Sequence, residues 1–337
     1  MAKAKDILEE LEGNFTAGTS FIERKRKLIK WSPAIDTSIG GGVPEGSTVV
    51  LTGPPKVGKT VAALSLAAEA QKIGKMVFYL NIEGRIKTRD LKGISGLDLS
   101  PEKFQIIESK KGSILLAEQW LELAEKLMHK YPGCVIIIDS FSMLCTEAEA
   151  TAGMDEMQRA TEAKLMYKFF RKVAGVVPVH DIIIIGIAHI IANPSGMGAG
   201  NQEKSGNAAK YAVDVKLEGK WAEKWTIGAD ENSQQIGQLI HWDVKCSAIN
   251  GPGSKPLSYL RYGIGFDKIM EIINLACDCG IIDAKGAWYT LSSIKDQPKF
   301  QGKEKLRQGF LDNPDWETTI GKELYQLLGI SYEQTDI

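Results

Sequence analysis

No stretch of this 337-residue chain is apolar for long enough to span a membrane. The longest runs, VIII before Asp139 and IIIIGIAHIIA from Ile182, fall well short of the ~20 residues that a spanning helix needs. The opening MAKAKDILEELEG is charged and has no apolar core of the secretory kind. Cysteine is scarce and unpatterned: Cys134, Cys145, Cys246, Cys277 and Cys279 show no zinc-ligand spacing, and the last two are too close for a relaxed disulfide. These absences exclude a disulfide scaffold and a zinc module, and the expected compartment is the reducing cytoplasm. A basic surplus is missing too, since 41 Lys and Arg stand against 42 Asp and Glu. Contact with a polyanion must then come from local patches and backbone donors. There is no internal repeat and no low-complexity tract.

What is present is a core-forming apolar fraction of 44%, arranged in alternating blocks. STVVLTG, KMVFYLNIEG, CVIIIDS and DIIIIGIAHI are short apolar runs rich in β-branched residues. Between them lie TVAALSLAAEAQKIG, SILLAEQWLELAEKLMHKYPG and ATEAKLMYKFFRKVAG, with helical spacing. Continuous apolar strands separated by helices predict an α/β fold with a mostly parallel sheet covered on both faces. VDVKLEGKW and GQLIHWDVKCS read as antiparallel strands extending its edge. Residues 1–32 read as an arm. AKDILEELEG is a short amphipathic helix, and FIERKRKLIKW carries five Lys or Arg in eleven residues. A core over 33–261 follows. Residues 262–337 change character and predict a small α+β domain, with a helix ending at Gly280, a strand at AWYTL and two helices broken by Asn313-Pro314.

Residues 53–60 read GPPKVGKT, between a strand and an alanine-rich helix. Gly53, Gly58, Lys59 and Thr60 fill every fixed position of the phosphate-loop pattern. Glycines let backbone N–H groups turn toward phosphate oxygens, and the following helix adds its N-terminal donors. The expected nucleotide contacts are Gly53, Pro54, Pro55, Lys56, Val57, Gly58, Lys59, Thr60 and Val61, with Lys59 on the β/γ-phosphates and Thr60 on Mg²⁺. The pattern by itself also arises by chance; the strand before it and the helix after it supply its context. Asp139 ends the VIII strand, where a carboxylate can hold the Mg²⁺ shell. Glu83 ends FYLNIEG and is placed to activate a water at the γ-phosphate. His189 ends IIIIGIAHI, where an imidazole can sense that phosphate. The bland alternatives are a capping Asp, a surface Glu and a core His. Two connectors, 146–157 and the glycine-rich 191–206, are long enough to be functional loops.

IDTSIGGGVPEGSTVVLTGPPKVGKT, SGNAAKYAVDVKLEG, YGIGFDKIMEIINLACDCGIIDAKGAWYTL and QGKEKLRQGFLDNP together resemble the RecA family of recombinases over most of the chain. The likeness is to a divergent member, of a kind phages also encode. It implies a RecA-like P-loop ATPase core with an N-terminal oligomerisation arm and a small C-terminal domain. It implies a DNA-dependent ATPase that forms helical filaments on single-stranded DNA, with ATP and Mg²⁺ at each subunit interface. The filament pairs its strand with homologous duplex DNA in recombination and repair, aided by single-strand-binding and loading proteins. Glu83, Lys59, Asp139 and His189 take the catalytic positions, Ser140 joins the nucleotide set, and His189 replaces the family's usual Gln. The two DNA-binding loops fall near 146–157 and 191–206, DNA contacts fall on Met197, Lys204, Ser205, Gly206 and Asn207, and an interface pair coupling DNA to ATP falls on Lys210 and Tyr211. Of two lysines that reach a neighbour's ATP only Lys245 matches; Ser247 stands at the second position. The alternatives are a ring-forming helicase or motor of the same fold, and a non-catalytic recombination mediator.

Overall fold

A computed structural model describes residues 26–153, 159–191, 202–203, 213–228 and 233–332. Along the chain come β1 (Leu28–Ile29), α1 (Pro33–Ile39), β2 (Val43–Pro44), β3 (Thr48–Gly53), α2 (Lys59–Lys72), β4 (Val77–Asn81), α3 (Thr88–Lys92) and β5 (Phe104–Ile107). Next are α4 (Ala117–Lys130), β6 (Val135–Asp139), α5 (Glu147–Thr151), α6 (Arg159–Val179), β7 (Ile183–Ile191), β8 (Gln202–Glu203), β9 (Val215–Ile227) and β10 (Gln234–Cys246). The last are β11 (Leu257–Arg261), β12 (Gly265–Phe266), α7 (Lys268–Asp278), β13 (Ile282–Lys285), β14 (Trp288–Leu291), β15 (Lys299–Gln301), α8 (Lys303–Asp312) and α9 (Asp315–Leu327).

The central sheet has the order β12-β11-β10-β9-β3-β7-β6-β4-β5, with β8 pairing to β7 off this path. The four apolar runs of the sequence are β3, β4, β6 and β7, all mutually parallel. Alternation assigns their side chains to two layers. Val49, Leu51, Val135, Ile137, Ile183 and Ile185 pack with α2 on one face. Ile136, Ile138, Ile182 and Ile184 pack with α4 and α6 on the other. Gly186 in β7 is explained by this second layer, because a Cβ there would sit 2.0 Å from the Phe141 ring.

Four features differ from the sequence reading. β9 is antiparallel to β10, as expected, but runs parallel to β3. The edge strand β5 has only one fully buried side chain, Phe104, so its pattern gave no strand signal. Loop 146–157 begins as helix α5, capped reciprocally by Thr146 and Glu149, while 154–157 lie outside the described residues. Leu28, Ile29 and Trp31, read as part of the arm, are buried, the last two in the main core, and β1 pairs with β2. The rest of that arm, 1–25, lies outside the described residues.

Beyond Phe266 a third core forms around α7, α8, α9 and the antiparallel sheet β13-β14-β15. Trp225 and Tyr259 of the central sheet are part of it, edge to face with centroids 5.3 Å apart. Two buried carboxylates pin this domain to α1. Glu271 of α7 accepts from the Ala34 and Tyr259 amides, and Asp36 accepts from the Trp31 amide and the Tyr325 hydroxyl. Among the described residues no helix is long and apolar enough to cross a membrane.

Candidate nucleotide site

Parallel pairing brings the carboxyl ends of the central strands to one edge, where open α/β sheets bind ligands. Gly53 is in register with His189, and Asn81 with Asp139. Four segments far apart in sequence therefore deliver the loop, Glu83, Asp139 and His189 to one place.

The 53–60 loop turns into α2 at Gly58. Its φ of 104° favours glycine, and any Cβ there would meet Ile240 at 2.5 Å. Among the described residues no side chain caps α2, which leaves its first amides available to an anion. Lys59 is buried, and its ammonium donates to the Gly53 and Pro54 carbonyls at 2.9 and 2.7 Å. Burial lowers its pKa to about 8, against the opposing pull of Asp139 and Glu83. Pro54, Pro55 and Lys56 are exposed, Val57 is buried, and Val61 faces the cavity beside the loop.

The Thr60 hydroxyl donates to Asp139 Oδ2 at 3.0 Å, and the Tyr79 hydroxyl donates to the same oxygen at 2.5 Å. Burial raises the Asp139 pKa, the two donors pull it down, and the charge of Glu83 raises it further. Glu83 Oε1 accepts from Ser140 Oγ at 2.6 Å and lies 2.8 Å from His189 Nε2. A carboxylate can only accept, so Nε2 carries the proton of this bond. Burial pushes the Glu83 pKa up, but the bonds from Ser140 and His189 outweigh it and hold the carboxyl below its usual range. The His189 amide donates to Ser142 Oγ at 2.7 Å, and its Nδ1 is buried with no partner among the described residues.

A cavity of about 700 Å³ opens from Thr60, Val61 and Leu64 across to Arg89, Asp90 and Tyr262. The sequence reading found none of the last three. The cation-rich GRIKTRD after Glu83 and the YGIG turn were the available signals, but only the tertiary fold, which brings both beside α2, makes them neighbours. Lys245 does not line this cavity and instead pairs with Asp243 and Glu218, at 2.6 and 3.2 Å. Met197, Lys204, Ser205, Gly206, Asn207, Lys210 and Tyr211 lie outside the described residues.

Residues 17–266 match the family model of the RecA N-terminal domain, and residues 270–329 match that of the RecA C-terminal domain. The chain belongs to the RecA family. Protein RecA of Thermotoga sp. strain RQ2 is 30% identical over an alignment of 342 positions, covering 97% of this chain and 92% of that protein. Protein RecA of Campylobacter jejuni serotype O:2 is 26% identical, covering 96% and 92%. Protein RecA of Ruminococcus albus is 30% identical over 291 residues, covering 84% and 68%. The 53–60 loop thus belongs to a RecA-family fold, and the junction between the two matched domains falls where β12 leaves the central sheet.

Proposed function

We propose that this RecA-family chain hydrolyses ATP at the 53–60 loop, assembles as a helical filament on single-stranded DNA, and exchanges that strand with homologous duplex. One observation carries the reading. Lys59, the Thr60–Asp139 pair and a Glu83 held ionised by Ser140 and His189 meet at one sheet edge, in a chain with both RecA domains.

The donor set fits a magnesium nucleotide. Thr60 and Asp139 offer a hydroxyl and a carboxylate 3.0 Å apart, the hard oxygens that Mg²⁺ prefers. When bound, Mg²⁺ neutralises charge on the phosphates. Lys59 and the α2 amides hold the β- and γ-phosphates, and the cavity past Leu64 takes the base beside Tyr262. Glu83 orients the attacking water and takes its proton. His189 leaves Glu83 to donate to the γ-phosphate, which frees the base and reports occupancy along β7 into the 191–206 loop. Lys204, Ser205 and Gly206 there, with Asn207 just after, grip the DNA backbone, Met197 contacts the bases, and Lys210 and Tyr211 carry the signal to the subunit interface. Lys245 reaches the neighbour's nucleotide. Phosphate contacts of this kind make binding sequence-tolerant and salt-sensitive.

ATP turnover measured with and without single-stranded DNA tests the coupling, and D-loop formation on matched and mismatched duplex tests pairing. Turnover indifferent to DNA at low salt would refute the recombinase reading. Closed rings, instead of filaments, on single-stranded DNA with an ATP analogue would favour the helicase alternative.

A further inference from the structure

Arg85 follows Glu83 by two residues and lines the same cavity. Its side chain is 78% exposed, and NH1 lies 3.9 Å from Glu83 Oε2, well beyond the ~2.7–2.9 Å of a formed charge-assisted bond. Gly84 before it has φ 62°, and a Cβ added there would meet no atom within 4 Å, so the turn is sterically open. Of the neighbouring cations, Arg261 and Lys59 are committed elsewhere, and Arg89, itself 81% exposed, lies beside Asp90 and not beside Glu83. Arg261 is held by Asp267 and Glu304 and lies over the Trp225 ring. Arg89 is 3.5 Å from Asp90, and Lys59 is bound to loop carbonyls. Glu83 and Asp139 meanwhile place two carboxyl groups where the γ-phosphate arrives. At position 247, where the resemblance expects a second lysine, the Ser247 hydroxyl donates to the Ile39 carbonyl and supplies no charge.

Resting on the ATPase reading above, we infer that Arg85 is a catalytic cation supplied from within the subunit, moving from Glu83 to the γ-phosphate of bound ATP as the transition state forms. The loose pair with Glu83 is one that a polyphosphate displaces. The water oxygen bonds to the γ-phosphorus and Glu83 takes the water proton. The bond from phosphorus to the β,γ-bridging oxygen breaks, and its electron pair leaves with ADP. The guanidinium bonds to the equatorial oxygens, where charge spreads in this transition state. Its departure also frees Glu83 Oε2 to receive the proton. One residue thereby links arrival of the triphosphate to release of the base.

The test uses the full-length chain with saturating single-stranded DNA, comparing wild type, R85A, R85K and K59A. R85A is expected to lose about a thousandfold in kcat, the lower end of the range for an arginine finger. Its affinity for a fluorescent ATP analogue should stay within threefold of wild type, which also reports that the variant is folded. Added guanidinium chloride should restore part of the R85A turnover, and R85K should fall between the two. R85A turnover within twofold of wild type, with K59A inactive, overturns the inference and leaves the ATPase reading intact. So does an R85A that loses nucleotide affinity at unchanged kcat. A wild-type chain that never hydrolyses ATP overturns both.

Discussion

Replacing Asp36 by Asn should reshape how stability depends on pH. Asp36 is fully buried, accepting from the Trp31 amide at 2.9 Å and the Tyr325 hydroxyl at 3.3 Å. Burial raises its pKa from 3.8 to about 7, against the Trp31 bond and the charges of Lys30 and Lys268, and Glu271 raises it further. The folded protein therefore holds this proton more tightly than the unfolded chain does. Stability from the group is fully present below the unfolded pKa and is lost as pH rises toward 7. A three-unit difference at about 1.4 kcal/mol per unit gives about 4 kcal/mol in all, and about 3 kcal/mol of it falls between pH 5 and 8. Asn keeps an oxygen for the Trp31 amide and cannot ionise. The difference in unfolding free energy, D36N minus wild type, should accordingly grow by about 3 kcal/mol from pH 5 to pH 8. For a slope near 3 kcal/mol per molar, that is about a 1 M relative shift in urea midpoint. Urea titrations followed by tryptophan fluorescence at both pH values measure it. A difference that stays constant within about 0.5 kcal/mol would mean that Asp36 is ionised in the fold at pH 5, and the buried-proton account would fail.

Glu83→Gln should bind ATP with near wild-type affinity while turnover falls by about 10²–10⁴-fold, the range for loss of a general base; DNA-stimulated phosphate release measures it, and normal turnover would remove Glu83 from that role. Gly186→Ala should cost about 1–3 kcal/mol, because its Cβ would lie 2.0 Å from the Phe141 ring in a close-packed layer. Adding Phe141→Leu to G186A should recover part of the lost thermal stability, and equal melting temperatures for wild type and G186A would contradict the packing.

Much of this protein was legible from local pattern. A glycine-rich loop between an apolar strand and an alanine-rich helix announces itself within eight residues, since its chemistry depends on backbone freedom and one lysine. The apolar runs of β4, β6 and β7 likewise gave their parallel pairing and put Glu83 and Asp139 at the strand ends, because burial on two faces leaves no polar alternation; His189, read as ending its strand, instead falls inside β7, which continues to Ile191. Local pattern could not supply register. That Ser140 and His189 converge on the same oxygen of Glu83, and that Tyr79 shares Asp139 with Thr60, depends on how four strands slide past one another. The cavity wall of Arg85, Arg89 and Tyr262 escaped for a related reason. Its two segments are about 170 residues apart and meet only because β11 and β12 bring the chain back past α2. The raised pKa of Asp36 was equally hidden, since an aspartate in IDTSIG reads as an ordinary helix residue until the C-terminal domain closes over it. The sequence alone determined which chemistry is available; the tertiary structure decided which groups share a proton or a charge, because those energies depend on distance and burial.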